Sequence, residues 1–149
     1  MGISWVGGSM IITWTSWMEK RISFSQTLIN LYNKYYKRLV ENEVEIADIR
    51  DEDRVLCIGG GSVPCTALQI ARLTKAKVYV LDVDEEAVNR AREIVERLGL
   101  KDRITVIWGS GEVVDPSDYD VIHIALQVKS KNAVLEHILK NSKRGARII

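Results

Sequence analysis

The sequence predicts an α/β fold, a doubly wound and mostly parallel sheet with helices on its connections. Three observations carry that expectation. From residue 54 onward, short runs rich in β-branched residues alternate with stretches of helical periodicity, the rhythm of a parallel sheet. The first of those runs, Arg54–Ile58, is nearly all apolar and leads into Gly59, Gly60 and Gly61, as a strand covered on both faces does. The chain has 149 residues, 46% hydrophobic and 28% charged, enough for one domain with a substantial core and too few for two comfortable ones.

Each element has a local cause. A helix over 64–73 follows the glycines, with Pro64 in its first turn, where the missing N–H costs nothing. Residues 77–81 (KVYVL) form the second strand. Asp84 caps a helix whose Ala87, Ala91, Ile94, Val95 and Leu98 share one stripe, and Gly99 closes it as the residue just past the end. Residues 103–108 (RITVIW) and 119–126 (YDVIHIAL) are the third and fourth strands. Ser130 starts a helix with Val134, Leu135, Ile138 and Leu139 directed inward, and Gly145 leads into a last strand over 146–149.

Ahead of this domain, taken as 50–149, residues 1–49 are expected to form an arm and a helix. The arm, over 1–21, carries Trp5, Trp14 and Trp17. The helix runs from Ser23 or Ser25 to about Val44, with Leu28, Leu31, Tyr32, Tyr35 and Leu39 at helical spacing. Tyr32, Tyr35 and Tyr36 read mainly as packing surface.

Composition excludes several function classes. Lys and Arg number 21 against 20 Asp and Glu, and a net charge of +1 offers no field that would gather nucleic acid. The apolar opening residues lack a basic start and are interrupted by Gly7-Gly8, so they make neither a secretion signal nor a membrane span. A cytoplasmic protein without nucleic-acid or membrane partners is expected. Cys57 and Cys65 have neither paired spacing nor histidines nearby, so they are expected as buried free thiols, with no metal site.

The chemistry-bearing motif is V-L-C-I-G-G-G-S-V-P, residues 55–64. It leaves a buried strand and opens a helix. Glycines there permit a tight turn and close approach of a ligand, and N–H groups at the helix start are expected to favour an anion. Asp82 ends the next strand, 23 residues after Gly59, where a carboxylate can accept both hydroxyls of a ribose. The pair points to an adenosine-bearing ligand. Pro64 stands where a dinucleotide fingerprint needs its third glycine, which argues against NAD. No Gly-Lys-Ser/Thr follows, which excludes a Walker loop.

Over roughly residues 50–149 this pattern resembles the class I S-adenosylmethionine-dependent methyltransferases, whose fold is Rossmann-like. The resemblance implies S-adenosylmethionine as cofactor. Gly59, Gly60, Gly61 and Ser62 would cradle its methionine part, Asp82 would hold the ribose, and Val83 would pack on the adenine. Ser110 and Gly111 follow the third strand, where the family usually has an aspartate near the adenine amino group. Cys57 and Val63 are further departures, replacing an acidic residue and a glycine.

These departures fit a narrower resemblance. GGGSVPCT (59–66) is similar to the G-S-G-P-L-P-L-T loop of nicotianamine synthases, including the Pro and the Thr. DYDVIHIAL (118–126) and EHILKNSKRGARII (136–149) resemble that family's fourth and fifth strand region. Those enzymes share the methyltransferase fold but transfer the aminocarboxypropyl arm of the cofactor and release methylthioadenosine.

The resemblance implies an S-adenosylmethionine-dependent transferase acting on a small-molecule substrate. Methyl transfer is the first reading, aminocarboxypropyl transfer the second, and a non-catalytic cofactor-binding or scaffold subunit the third. Transfer from a sulfonium asks mainly for alignment, so no catalytic base is named. In the family two more strands follow the fifth, so 146–149 is expected at a sheet edge. That edge and the Trp-rich arm predict a homo-oligomer. His123 is expected as a core or hydrogen-bonded residue, Trp108 as either a stacking or a packing residue, and the charged runs 51–53 and 140–147 as solvated ends.

Overall fold

The computed structural model describes residues 41–149. The expectations for the Trp arm, the helix start and Tyr32, Tyr35 and Tyr36 lie outside the described residues. Residues 41–46 are helical, so the N-terminal helix ends slightly later than Val44.

Eight elements follow: β1 (Arg54–Ile58), α1 (Cys65–Leu73), β2 (Lys77–Asp82), α2 (Glu85–Arg97), β3 (Ile104–Trp108), β4 (Val121–Ile124), α3 (Lys131–Asn141) and β5 (Arg147–Ile148). The strands form one sheet in the order β3-β2-β1-β4-β5, with every neighbouring pair parallel. The expected doubly wound α/β fold is therefore present. The chain runs outward from β1 through β2 to β3, then returns to β4 on the other side. This reversal opens a crevice beyond the C-terminal ends of β1 and β4, where ligands of such sheets bind.

Alternation along the strands divides the core. Val55, Cys57, Val78, Val80 and Val121 face one way, against Leu68 and Ile70 of α1 and Val88, Ala91 and Ile94 of α2. Leu56, Ile58, Ile122 and Ile124 face the other way, against Val134 and Ile138 of α3. Each fully buried aliphatic side chain contributes about 1.5–3 kcal/mol. Cys57 and Cys65 are buried and free, and burial pushes the Cys57 thiol up to about 12.

Helix α2 is fixed at both ends. The Asp84 carboxylate accepts from the N–H groups of Glu86 at 3.0 Å and Ala87 at 3.4 Å. Gly99, at φ 67°, lets its own N–H reach Glu96 O and the Leu100 N–H reach Val95 O, both at 3.0 Å.

Three expectations need correction. Leu139 is 62% exposed and Leu135 36%, because the inward stripe of α3 consists of Val134 and Ile138. The fourth strand is shorter than 119–126, since Ala125 begins a turn that hydrogen-bonds back to β1. The charged runs are not merely solvated ends. Asp53 is 5% exposed and accepts from Arg147 Nη2 at 2.7 Å and from the Arg50 N–H at 2.8 Å. Arg147 also donates to the carbonyls of Ala47 and Asp48, so one side chain fastens β5 to the connector before β1. A buried carboxylate needs such a partner, and no run of charges in a sequence reveals which member has it.

His123 lies within β4 on the Cys57 face, and its Nε2 is 3.5 Å from a carboxylate oxygen of Glu43 on the N-terminal helix. It is a buried, partnered histidine, as expected.

Candidate functional site

A cavity of about 330 Å³ opens beyond the C-terminal ends of β1, β2 and β4. Gly59, Gly61 and Ser62 form one part of its wall, Asp82, Val83 and Asp84 a second, and Gly109, Ser110 and Gly111 a third. Of the eight residues singled out in the sequence, seven line this cavity. Gly60 does not. A Cβ there would lie 2.1 Å from Val80 Cγ1, so its missing side chain lets the loop settle onto β2.

Asp82 joins the three parts of the wall. Its Oδ2 accepts from the Gly61 N–H at 2.8 Å, its Oδ1 from the Asp84 N–H at 3.0 Å, and its carbonyl from the Gly109 N–H at 2.9 Å. The carboxylate thus clasps the glycine loop while facing the cavity, and its remaining lone pairs are available to a ligand's hydroxyl groups.

The N–H groups of the three glycines turn inward: Gly59 and Gly60 donate to Leu81 O at 2.7 and 3.4 Å, and Gly61 donates to Asp82. The cause is the positive φ of Gly59 (83°) and Gly61 (67°), which turns the backbone inward toward β2. Two of the glycines let the wall pack closely. A Cβ on Gly59 would stand 2.6 Å from Val128 Cγ2, and one on Gly111, after β3, would stand 2.8 Å from Ile58 Cγ2.

At the far end, Val83 is 68% exposed and forms an open apolar shelf. Trp108, 59% exposed, donates its indole N–H to the Val83 carbonyl at 3.0 Å. This ties the β3 end to the shelf and leaves most of the ring uncovered. Ser110 accepts the Glu112 N–H on its Oγ at 3.1 Å, which shapes the turn after β3.

Sequence reasoning missed the segment after β4. Gln127, Val128, Lys129 and Ser130 all line the cavity, and Gln127 Nε2 donates to Gly59 O at 2.9 Å. The available signal was topological: a loop leaving a strand at the point where strand order reverses. Among the described residues, no cluster of His, Cys, Asp and Glu could hold a metal ion, and no helix is long and apolar enough to cross a membrane.

With this geometry in view, the comparisons with known proteins have a physical counterpart. The family described as nicotianamine synthase protein matches residues 24–149. The chain belongs to the nicotianamine synthase family. L-histidine 2-aminobutanoyltransferase of Pseudomonas aeruginosa (strain UCBPP-PA14) is 34% identical over 111 residues, covering 74% of this chain and 42% of that protein. Protein-L-isoaspartate O-methyltransferase of Thermococcus sibiricus is 32% identical over 108 residues, covering 71% of this chain and 47% of the relative. An MtNAS variant solved in complex with S-adenosylmethionine superposes with a TM-score of 0.77 at 23% identity, over 94% of this chain and 55% of that one. The fold is thus the Rossmann-like methyltransferase fold, and this member of the nicotianamine synthase family spans less than half the length of the curated relatives it matches.

Proposed function

We propose that the chain is the cofactor-binding part of an S-adenosylmethionine-dependent transferase that moves the aminocarboxypropyl group to an amine on a small molecule. The observation that carries this reading is Asp82, a carboxylate at the end of β2 that faces the cavity and fastens the glycine loop beside it. The cavity suits such a ligand in its chemistry: hydrogen-bond acceptors for a ribose, an apolar shelf at Val83, and a wall of glycines without side chains.

When bound, S-adenosylmethionine supplies a carbon activated by its sulfonium. The residues' part is to hold that carbon in line with the acceptor nitrogen. In such a transfer the new N–C bond would form as the C–S bond breaks, with its electron pair left on the sulfur of methylthioadenosine and the proton of the ammonium product released to solvent. Asp82 would fix the ribose, Val83 with Trp108 the adenine side, and Gly59, Gly61 and Ser62 the methionine side. Ser110 and Gly111 would close the adenine end, and Gly60 would support the loop from behind.

Family membership and the aminobutanoyltransferase relative favour this chemistry over methyl transfer. Methyl transfer is the second reading, supported by the isoaspartate methyltransferase relative. An amino acid suits the acceptor role, and L-histidine is the first to assay because the Pseudomonas relative is named for it. The buried free thiols of Cys57 and Cys65 fit a reducing cytoplasm. Self-association is part of the same reading, and light scattering checks it.

The test of the reaction is product analysis after incubation with S-adenosylmethionine and L-histidine. Methylthioadenosine is the expected product. S-adenosylhomocysteine would replace this reading with methyl transfer.

A further inference from the structure

The N–H groups of the three glycines are already used. Gly59, Gly60 and Gly61 donate to Leu81 O and to Asp82, inside the protein. A carboxylate at the loop end of the cavity gains no partner from them, and a cation would be a strong one. The cavity wall carries one cationic side chain, Lys129, against two anionic ones, Asp82 and Asp84.

The anions are engaged, Asp82 with the loop and Asp84 with the start of α2. Among the described residues, the Lys129 ammonium has neither an ion pair nor a hydrogen bond. The residues just before it are anchored. The Ala125 N–H reaches Ile58 O at 3.0 Å, the Val128 N–H reaches Ala125 O at 3.2 Å, and Gln127 holds Gly59 O. Val128 also fills the space where a side chain on Gly59 would stand. Strand order puts the end of β2, with Asp82, and the end of β4, which leads through a turn to Lys129, on opposite sides of β1. Two strand spacings, roughly 10 Å, divide those strand ends. A ligand anchored by its ribose at Asp82 and lying across β1 would bring its other end toward the loop that carries Lys129.

We propose that Lys129 is the carboxylate-binding residue of this site, holding the α-carboxylate of an amino acid group at the transfer end. The carboxylate comes either from the aminocarboxypropyl arm of the cofactor or from an amino-acid acceptor. An ammonium suits both, since a hydrogen bond to a charged group is the stronger kind. The inference rests on the cofactor reading above and goes beyond it by assigning the residue that reads the amino-acid end.

The test is calorimetry on the 149-residue chain and its Lys129→Met and Lys129→Arg variants, with three probes: S-adenosylhomocysteine, methylthioadenosine, and L-histidine added to protein saturated with methylthioadenosine. Methionine keeps the stem and loses the charge, whereas arginine keeps the charge. If the carboxylate belongs to the cofactor, Lys129→Met binds S-adenosylhomocysteine roughly tenfold or more weakly and methylthioadenosine unchanged. If it belongs to the acceptor, S-adenosylhomocysteine is unaffected and L-histidine weakens by a similar factor. In either case Lys129→Arg restores most of the loss. Equal weakening of S-adenosylhomocysteine and methylthioadenosine, or no weakening of any probe, overturns the assignment. Failure of the wild-type chain to bind both adenosine probes overturns the cofactor reading beneath it.

Discussion

The Asp82 carboxylate accepts the Gly61 N–H at 2.8 Å, so the residue proposed to meet a ribose also holds the glycine loop in place. A ligand bound there would share one side chain with the loop. Asp82→Ala is expected to weaken S-adenosylhomocysteine binding by about 1.5–3 kcal/mol, through lost ligand contacts and a looser loop. Asp82→Asn keeps an acceptor for the loop and should fall between wild type and alanine. Titration calorimetry checks the series, and unchanged affinity in both variants would remove Asp82 from the site.

Gly59 is under two constraints at once, a φ of 83° and the closeness of Val128 Cγ2 to the place of its Cβ. Gly59→Ala should therefore destabilise the fold by about 1–3 kcal/mol. Adding Val128→Ala relieves the steric part and leaves the backbone strain, so the double variant should recover some of that loss relative to an additive sum. Urea unfolding of the four proteins measures it. Strict additivity would mean that the two side chains do not meet.

How much of this was legible in the sequence depends on the kind of interaction. Local signals were sufficient for Asp84 as a cap, Gly99 as a helix terminator and the three glycines after β1, because each is set by backbone geometry within a few residues. Asp82 could be located because a strand end has a fixed place in a parallel sheet. The Asp53–Arg147 pair was not legible: its partners are 94 residues apart, and only the pairing of β4 with β5 brings them together. Nor was the use of the glycine N–H groups, since it depends on how closely the loop folds back on Leu81. Lys129 was passed over because nothing in QVKSK marks one lysine as facing a cavity.

Ser110 stands where the resemblance to methyltransferases implies an acidic residue, and its Oγ already accepts a backbone N–H two residues on. Aspartate makes the same local turn, so Ser110→Asp should leave the loop intact. If the cavity holds adenine at this end, the new carboxylate can accept from the adenine amino group. Methylthioadenosine affinity should then rise by about 1 kcal/mol. Weaker binding with an unchanged thermal midpoint would put the adenine elsewhere.

Acid sensitivity should pass through Asp120. Its carboxyl is held below the usual carboxylate range, first by the Lys143 ammonium at 2.6 Å and then by the Arg54 N–H at 2.8 Å. A carboxyl whose folded value is depressed stabilises the fold at pH above its unfolded value, about 3.9, and loses that contribution as pH falls through the folded value. Both side chains are partly exposed, so the Lys143 contact is worth at most about 1 kcal/mol at neutral pH. Lys143→Ala should narrow the stability difference between pH 6 and pH 3, as read by urea unfolding. An unchanged difference would separate acid sensitivity from this contact.

The central claim is that the crevice between β1, β2 and β4 holds the adenosine of S-adenosylmethionine. The most direct measurement is the amide nitrogen–proton spectrum of the isotope-labelled chain, titrated with methylthioadenosine. The account predicts saturable shifts concentrated in residues 59–62, 82–84 and 109–111, which line or support the cavity. Arg54 and Tyr119, at the opposite end of the strands, should stay still. A spectrum that does not change, or shifts centred on Arg54 and Tyr119, would contradict it.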